Sequence, residues 1–333
     1  MPAHSKRRVL IYFAWSYPAE TSAPLDEIDD RFPALFELRR LFYPKYEGLS
    51  DEVGVERGIG GFLDHIQRPN FAAFAALAET ITGNAAIQIE RVRRDGVKTL
   101  LNEELIADAD TIVVISFDSL RTNQAATDAE VKAVTHFLSD PGHMLFVCPH
   151  HDIGEADDVT LPERRSVQLA EHRHHGDSGI PPRQGFGGFA RSLLAGLGVP
   201  VENRFGLRPA VTPEGEPSPI EADASKDVLG LLNGVGAFNL HPHLPQLERL
   251  EVAIERMDVL ARQNIDLAVP PHPFTQTGRS NFDALLQSNA DAFAGKLLVC
   301  DTTMFSSTAG GLANLQQLWS NILQRSIEKA IVQ

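Results

Sequence analysis

The chain has 333 residues, 43% of them hydrophobic and 22% charged, enough for one large core or two small ones. Its formal net charge is -14, and no basic run exists beyond Lys6-Arg7-Arg8, which argues against nucleic-acid binding and against attraction to an anionic membrane. No apolar stretch reaches membrane-spanning length, and Val9 to Trp15 is too short for a secretory core, so a cytoplasmic location is expected.

Val9–Ala14 is a continuous apolar run of the kind that parallel sheets bury on both faces. Residues 18–60 interrupt the rhythm with Pro18, Pro24, Pro33 and Pro44 and several acids. They read as an insertion with one short helix over Phe32–Phe42, either a small satellite core or a lid or dimer contact. Asn70 is expected to cap a helix that runs to Ile81 and stops at Gly83. Ala86–Val92 is a second strand, Glu103–Ala107 a short helix and Thr111–Phe117 a third strand.

Thr127 followed by Glu130 is a capping box, which starts a helix running to about Leu138. His143–Cys148 is a fourth strand. Residues 149–185 are dense in His, Asp, Gly and Pro and read as a long polar active-site loop. Gly188–Leu197 is helical. Residues 199–245 are irregular, and Glu248–Gln263 fits a strand better than a helix. Lys296–Cys300 is the last strand, and Leu312–Ala330 a closing helix with Leu315, Leu318, Trp319, Ile322 and Leu323 on one face. This alternation predicts one α/β domain over 1–333, a doubly wound, mostly parallel sheet with helices on both faces and loop insertions. Ligands in such sheets sit at the carboxyl ends of the strands.

The order ADTIVVIS, helix, HMLFVCPHHD resembles the class I glutamine-amidotransferase-like superfamily, a flavodoxin-like fold. The segments TDAEVKAVTHFLSDPGHMLFV, NLHPHLPQLE and KLLVCDTTMFSS resemble its trehalose-utilisation-like and gliding-motility transporter auxiliary branch. The resemblance covers residues 110–150 and 235–330. It places Cys148 on the turn that holds the family's cysteine nucleophile and His151 near the histidine of its G-x-C-x-G-H-Q pattern. In VPPHPFTQTG, Phe274 stands where the family's H-P-E motif has Glu. Pro149 follows Cys148 and has no N–H to serve an oxyanion hole, a departure that argues against glutaminase chemistry.

Most of the 12 histidines fall in clusters: His150-His151-Asp152, His172-Arg173-His174-His175-Gly176-Asp177, His241-Pro242-His243 and His272-Pro273. Neutral imidazole and carboxylate are common ligands of zinc, iron and manganese, so a divalent metal ion is the candidate cofactor. Solvated loop histidines are the plainer alternative. The candidate metal ligands are His150, His175, Asp177, His241 and His272. The candidate catalytic residues are Cys148, His151 and Asp152, with Cys148 alternatively a packed core thiol. Trp15, Glu20, Asp118 and Asp301 are candidates for substrate contact, and Asp301 could equally cap the segment after it.

No nucleotide cofactor is expected, and a homodimer is an open possibility. Three readings remain. The first is a hydrolase of a small polar substrate, an amide or related C–N compound, using a His/Asp-rich metal site. The second is a non-catalytic binding or partner domain. The third is a thiol-dependent amidohydrolase built on Cys148.

Overall fold

The computed structural model describes residues 7–21, 68–118, 122–151, 160–176 and 188–325. The elements that build the sheet and its covers run in chain order. They begin with β1 (Val9–Ser16), α1 (Tyr17–Thr21), α2 (Arg68–Thr82), β2 (Ile87–Val92), α3 (Glu103–Ile106), β3 (Thr111–Ile115), α4 (Asp128–Phe137) and β4 (Met144–Cys148). After these come α5 (Leu161–His175), α6 (Phe189–Gly196), β5 (Val201–Glu202), β6 (Gly206–Leu207), β7 (Glu221–Ala222), β8 (Leu244–Pro245) and β9 (Glu248–Arg249). The chain closes with α7 (Ala253–Arg256), β10 (Met257–Asn264), β11 (Asn281–Ser288), β12 (Lys296–Cys300) and α8 (Leu312–Gln324).

An 8-stranded sheet in the order β2-β1-β3-β4-β12-β11-β10-β7 organises the fold. From β2 to β12 each neighbouring pair is parallel. Beyond β12 the pairs are antiparallel, so β11, β10 and β7 extend one side of a parallel core. The central strands are apolar along their whole length because both faces are covered: every residue of β1, β3 and β4 is buried. Alternate β1 residues divide between two cores. Ile11, Phe13 and Trp15 pack with Phe71, Phe74, Leu315 and Trp319 from α2 and α8. Leu10, Tyr12 and Ala14 pack with Ile106, Val134, Phe137, Phe189 and Leu193 from α3, α4 and α6. Helices therefore cover both faces, as the alternation of elements predicts.

Local chemistry sets the element ends. The Thr127 capping box is formed in both directions, with the Glu130 N–H donating to Thr127 Oγ1 at 3.3 Å and Thr127 N–H donating to Glu130 Oε2 at 2.9 Å. Asn70 does not cap α2. That helix already begins at Arg68, with Pro69 in its first turn, where a missing N–H costs nothing.

One larger expectation needs correction. The stretch 149–185 is not one long loop: α5 runs from Leu161 to His175, with a Thr160/Glu163 capping box, Pro162 in the first turn and Gly176 as a left-handed cap at φ 83°. In the stretch 248–263 the expected strands form, as β9 and β10, with the short helix α7, entered through Glu251 at φ 46°, between them. The expected helix at 32–42, the insertion beyond residue 21, and residues 152–159 and 177–187 lie outside the described residues. Among the described residues no helix is long and apolar enough to cross a membrane.

Candidate functional site

The carboxyl ends of β4 and β12 lie side by side, since Val147 and Val299 are register partners in parallel strands. The segments that follow them, Pro149-His150-His151 and Asp301-Thr302-Thr303, are tied together by the Thr302 N–H donating to the Pro149 carbonyl at 3.0 Å. His150 and Asp301 thereby meet in the interior, 4% and 3% exposed, with His150 Nδ1 2.8 Å from Asp301 Oδ1. A carboxylate accepts, so Nδ1 is the donating nitrogen of His150 in this contact.

The opposite oxygen of Asp301 is also committed. It accepts the Thr303 N–H at 2.8 Å and the Thr303 hydroxyl. Thr303 Oγ1 accepts from Asn239 Nδ2 at 3.0 Å, and Asn239 Oδ1 accepts the His241 N–H at 3.0 Å. Asp301 thus both caps the segment after β12 and orients His150. The chain of bonds continues into the 239–243 segment and fixes where His241 and His243 stand.

His150, His151 and His243 each offer one ring nitrogen, and these atoms lie within 4.8 Å of one another. Other imidazoles surround them. The His241 ring lies 5.0 Å from that of His150, and the His175 ring stacks on His243 at 4.0 Å. His175 reaches the group because α5 ends beside β6, where its Nε2 donates to the Gly206 carbonyl at 2.9 Å. Burial, followed by repulsion from neighbouring imidazoles, pushes His151 and His241 well below the ordinary histidine range. Burial, followed by repulsion from His243, does the same to His175. These rings are therefore neutral at pH 7.

Glu171, on the buried side of α5 and 2% exposed, is the carboxyl group behind the cluster. Its Oε1 lies 3.5 Å from His151 Nε2 and 4.0 Å from His175 Nε2, and its Oε2 lies 3.0 Å from His272 Nε2.

His272 is fully buried, and burial lowers its pKa to about 4. Its Nδ1 accepts the Phe274 N–H at 3.0 Å, so Nε2 carries the proton given to Glu171. Both nitrogens are occupied, and the expectation that His272 ligates a metal is corrected: it orients Glu171. His174 is similarly occupied, between the Pro270 carbonyl and the Arg208 N–H.

The remaining expected residues divide. Asp118 is buried at the end of β3, accepting from Ser116 Oγ at 2.8 Å, next to Phe117, whose ring lies 5.2 Å from His150. Trp15 lies in the core instead, stacked on Phe13 at 4.6 Å and donating to Glu90 at 2.8 Å. Cys148 does not have the setting of a nucleophile. It is fully buried, its Sγ lies 3.7 Å from that of Cys300, and burial holds its thiol well above the usual range, whereas a reactive cysteine needs a stabilised thiolate. Glu20 lies in α1, and Asp152 and Asp177 lie outside the described residues.

Two contributors were not singled out from sequence, Glu171 and Asn239, and His243 was named in a histidine cluster but not among the candidate ligands. The Thr160–Glu163 capping box could have revealed α5, and with it the one-turn spacing of Glu171 and His175.

Fold and site together define an α/β protein with a buried histidine–carboxylate cluster at the carboxyl edge of its parallel strands. No protein-family model matches the chain, and no curated protein matches it. Among solved structures, one described as "mmIFT52 N-terminal domain" is similar at 12% identity with a TM-score of 0.38, over 74% of this chain and 92% of that chain.

Proposed function

We propose that the protein is a metal-dependent hydrolase of a small polar substrate, an amide or related C–N compound, on a flavodoxin-like scaffold of the amidotransferase-like type. The observation that carries this reading is the meeting of His150, His151 and His243 donor atoms within 4.8 Å in a buried site. The donor set suits zinc, iron or manganese: His151 is held neutral, as ligation requires, and Asp301 fixes the His150 tautomer as orienting carboxylates do in metal sites. The parallel strand order β2-β1-β3-β4-β12 supports the flavodoxin-like reading, since 2-1-3-4-5 is the order of such sheets and their ligands bind at this edge.

A divalent ion held there supplies Lewis acidity and an activated water. The protein's own part is to keep His151, His175 and His241 neutral, to hold His150 through Asp301, and to place the Glu171 carboxylate beside His151, where it orients that ring.

The alternative, a non-catalytic binding domain, draws support from the buried Cys148 thiol and from Pro149, which together leave the superfamily's thiol chemistry without its parts. Ammonia release from a panel of small amides, imides and ureas, with zinc, manganese or iron added, separates the two. Release that disappears with chelator and with His150→Ala supports the hydrolase. No release with any metal, or release that survives both treatments, overturns it.

A further inference from the structure

Outside the histidine cluster, the antiparallel extension of the sheet carries a cleft of about 340 Å³, within the usual range for small-ligand sites. Its floor is one face of β10 and β11, where Arg262 and Asp283 are register partners. Its walls come from β9, through Glu248 and Arg249, and from the 274–279 segment, through Phe274 and Arg279.

The guanidiniums are unevenly committed. Arg262 Nε donates to Asp283 Oδ1 at 2.8 Å, which neutralises that carboxylate and fixes the head of Arg262 at the floor. Arg249 spends Nη1 on the Met257 carbonyl at 2.7 Å, which anchors its side chain and leaves its remaining donors to the cleft. Arg279 lies over the Phe274 ring, 4.7 Å from its centroid, a contact that holds the guanidinium in place without using its N–H groups. Among the described residues lining the cleft, Arg249, Arg262 and Arg279 stand against Glu248 and Asp283, while Glu221, the register partner of Arg262, is held by Asn281 Nδ2 at 2.9 Å, in a chain whose net charge is -14. Held guanidinium forks are the usual recognition element for the paired oxygens of phosphate and carboxylate.

We infer that this cleft is a binding site for a small, doubly charged oxyanionic ligand, a phosphate group or a dicarboxylate, held by Arg249 and Arg279 with Arg262 at the floor. The inference stands apart from the metal-site reading, because none of the cleft residues is a histidine of the cluster. The two are nevertheless linked: Phe274 lines the cleft, and its backbone N–H holds His272, which holds Glu171.

Thermal unfolding of the full chain, with inorganic phosphate and succinate titrated separately at constant ionic strength against a chloride control, tests the site. The reporter variant is Arg249→Gln/Arg279→Gln, neither residue being part of the histidine cluster, with circular dichroism confirming its fold. A second variant, Arg279→Gln alone, removes only a ring contact, so it keeps the test readable if the double variant is unstable. A saturable rise in unfolding temperature with phosphate, weakened about tenfold or more in half-saturation by either variant, assigns a phosphoryl ligand. The same pattern with succinate alone assigns a carboxylate ligand. No rise beyond the chloride control with either anion, or a rise that the variants leave unchanged, overturns the proposal.

Discussion

Replacing Glu130 with Gln tests the cross-link on which the β4 end of the site depends. Glu130 is fully buried, and its Oε1 accepts from Arg91 Nη1 and from the Leu101 N–H at 3.3 Å. Its Oε2 takes the Thr127 N–H and hydroxyl at 2.9 and 3.0 Å, so one carboxylate both completes the α4 capping box and neutralises Arg91. Arg91 is 5% exposed, donates to the Ala125 carbonyl at 2.8 Å and lies 4.6 Å over the Phe189 ring. The pair thus joins β2, α4 and α6 above the strands that lead to His150.

Gln keeps the shape but leaves the Arg91 charge uncompensated. Breaking a buried pair from one side costs about 3–5 kcal/mol. A chain of this size loses roughly 2–4 °C per kcal/mol, so the unfolding temperature should fall by about 10 °C. Urea denaturation followed by circular dichroism gives the free energy directly. The double replacement Arg91→Met/Glu130→Leu removes both charges and should lie closer to the parent than Glu130→Gln does. A Glu130→Gln protein within about 1 kcal/mol of the parent would refute the reasoning, since an isolated buried guanidinium cannot be that cheap.

Iodoacetamide should leave Cys148 and Cys300 unlabelled in the native protein at neutral pH, with labelling set by global unfolding. Rapid stoichiometric labelling would restore the thiol reading. Metal-free protein should lose stability as pH falls from about 6.5 to about 4. His272 is depressed to about 4, so in that window the unfolded chain binds the extra proton and stability rises with pH. His272→Gln should reduce that slope in urea titrations at each pH, leaving the share of His151, His175 and His241, and an unchanged slope counts against burial as the cause. Gly311→Ala should destabilise by more than about 2 kcal/mol by urea denaturation, because φ is 62° and a Cβ would collide with the Phe238 carbonyl oxygen.

The parts of the fold legible in the sequence are those that one physical signal fixes. The strands β3, β4 and β12 are buried on both faces and read as unbroken apolar runs, and the Thr127–Glu130 box marks the start of α4. The helix α5 escaped because LPERRSVQLAEHRHH has no apolar stripe: its buried face is Gln168, Glu171, His172, His174 and His175, a polar surface that only a polar partner would bury. The site followed the same division. The strand-end rule located His150 and Asp301. The partnership of Glu171 with His151, His175 and His272 joins segments far apart in the chain and is visible only once they are folded together.

The central claim is that His150, His151 and His243 hold a divalent ion. An anomalous-difference map, collected across the zinc, iron and manganese absorption edges from crystals of protein purified without chelator, tests it most directly. One peak is expected within bonding distance of those imidazoles, lost in His150→Ala and His243→Ala. An empty map at that position, after soaking with each of the metals in turn, would contradict it.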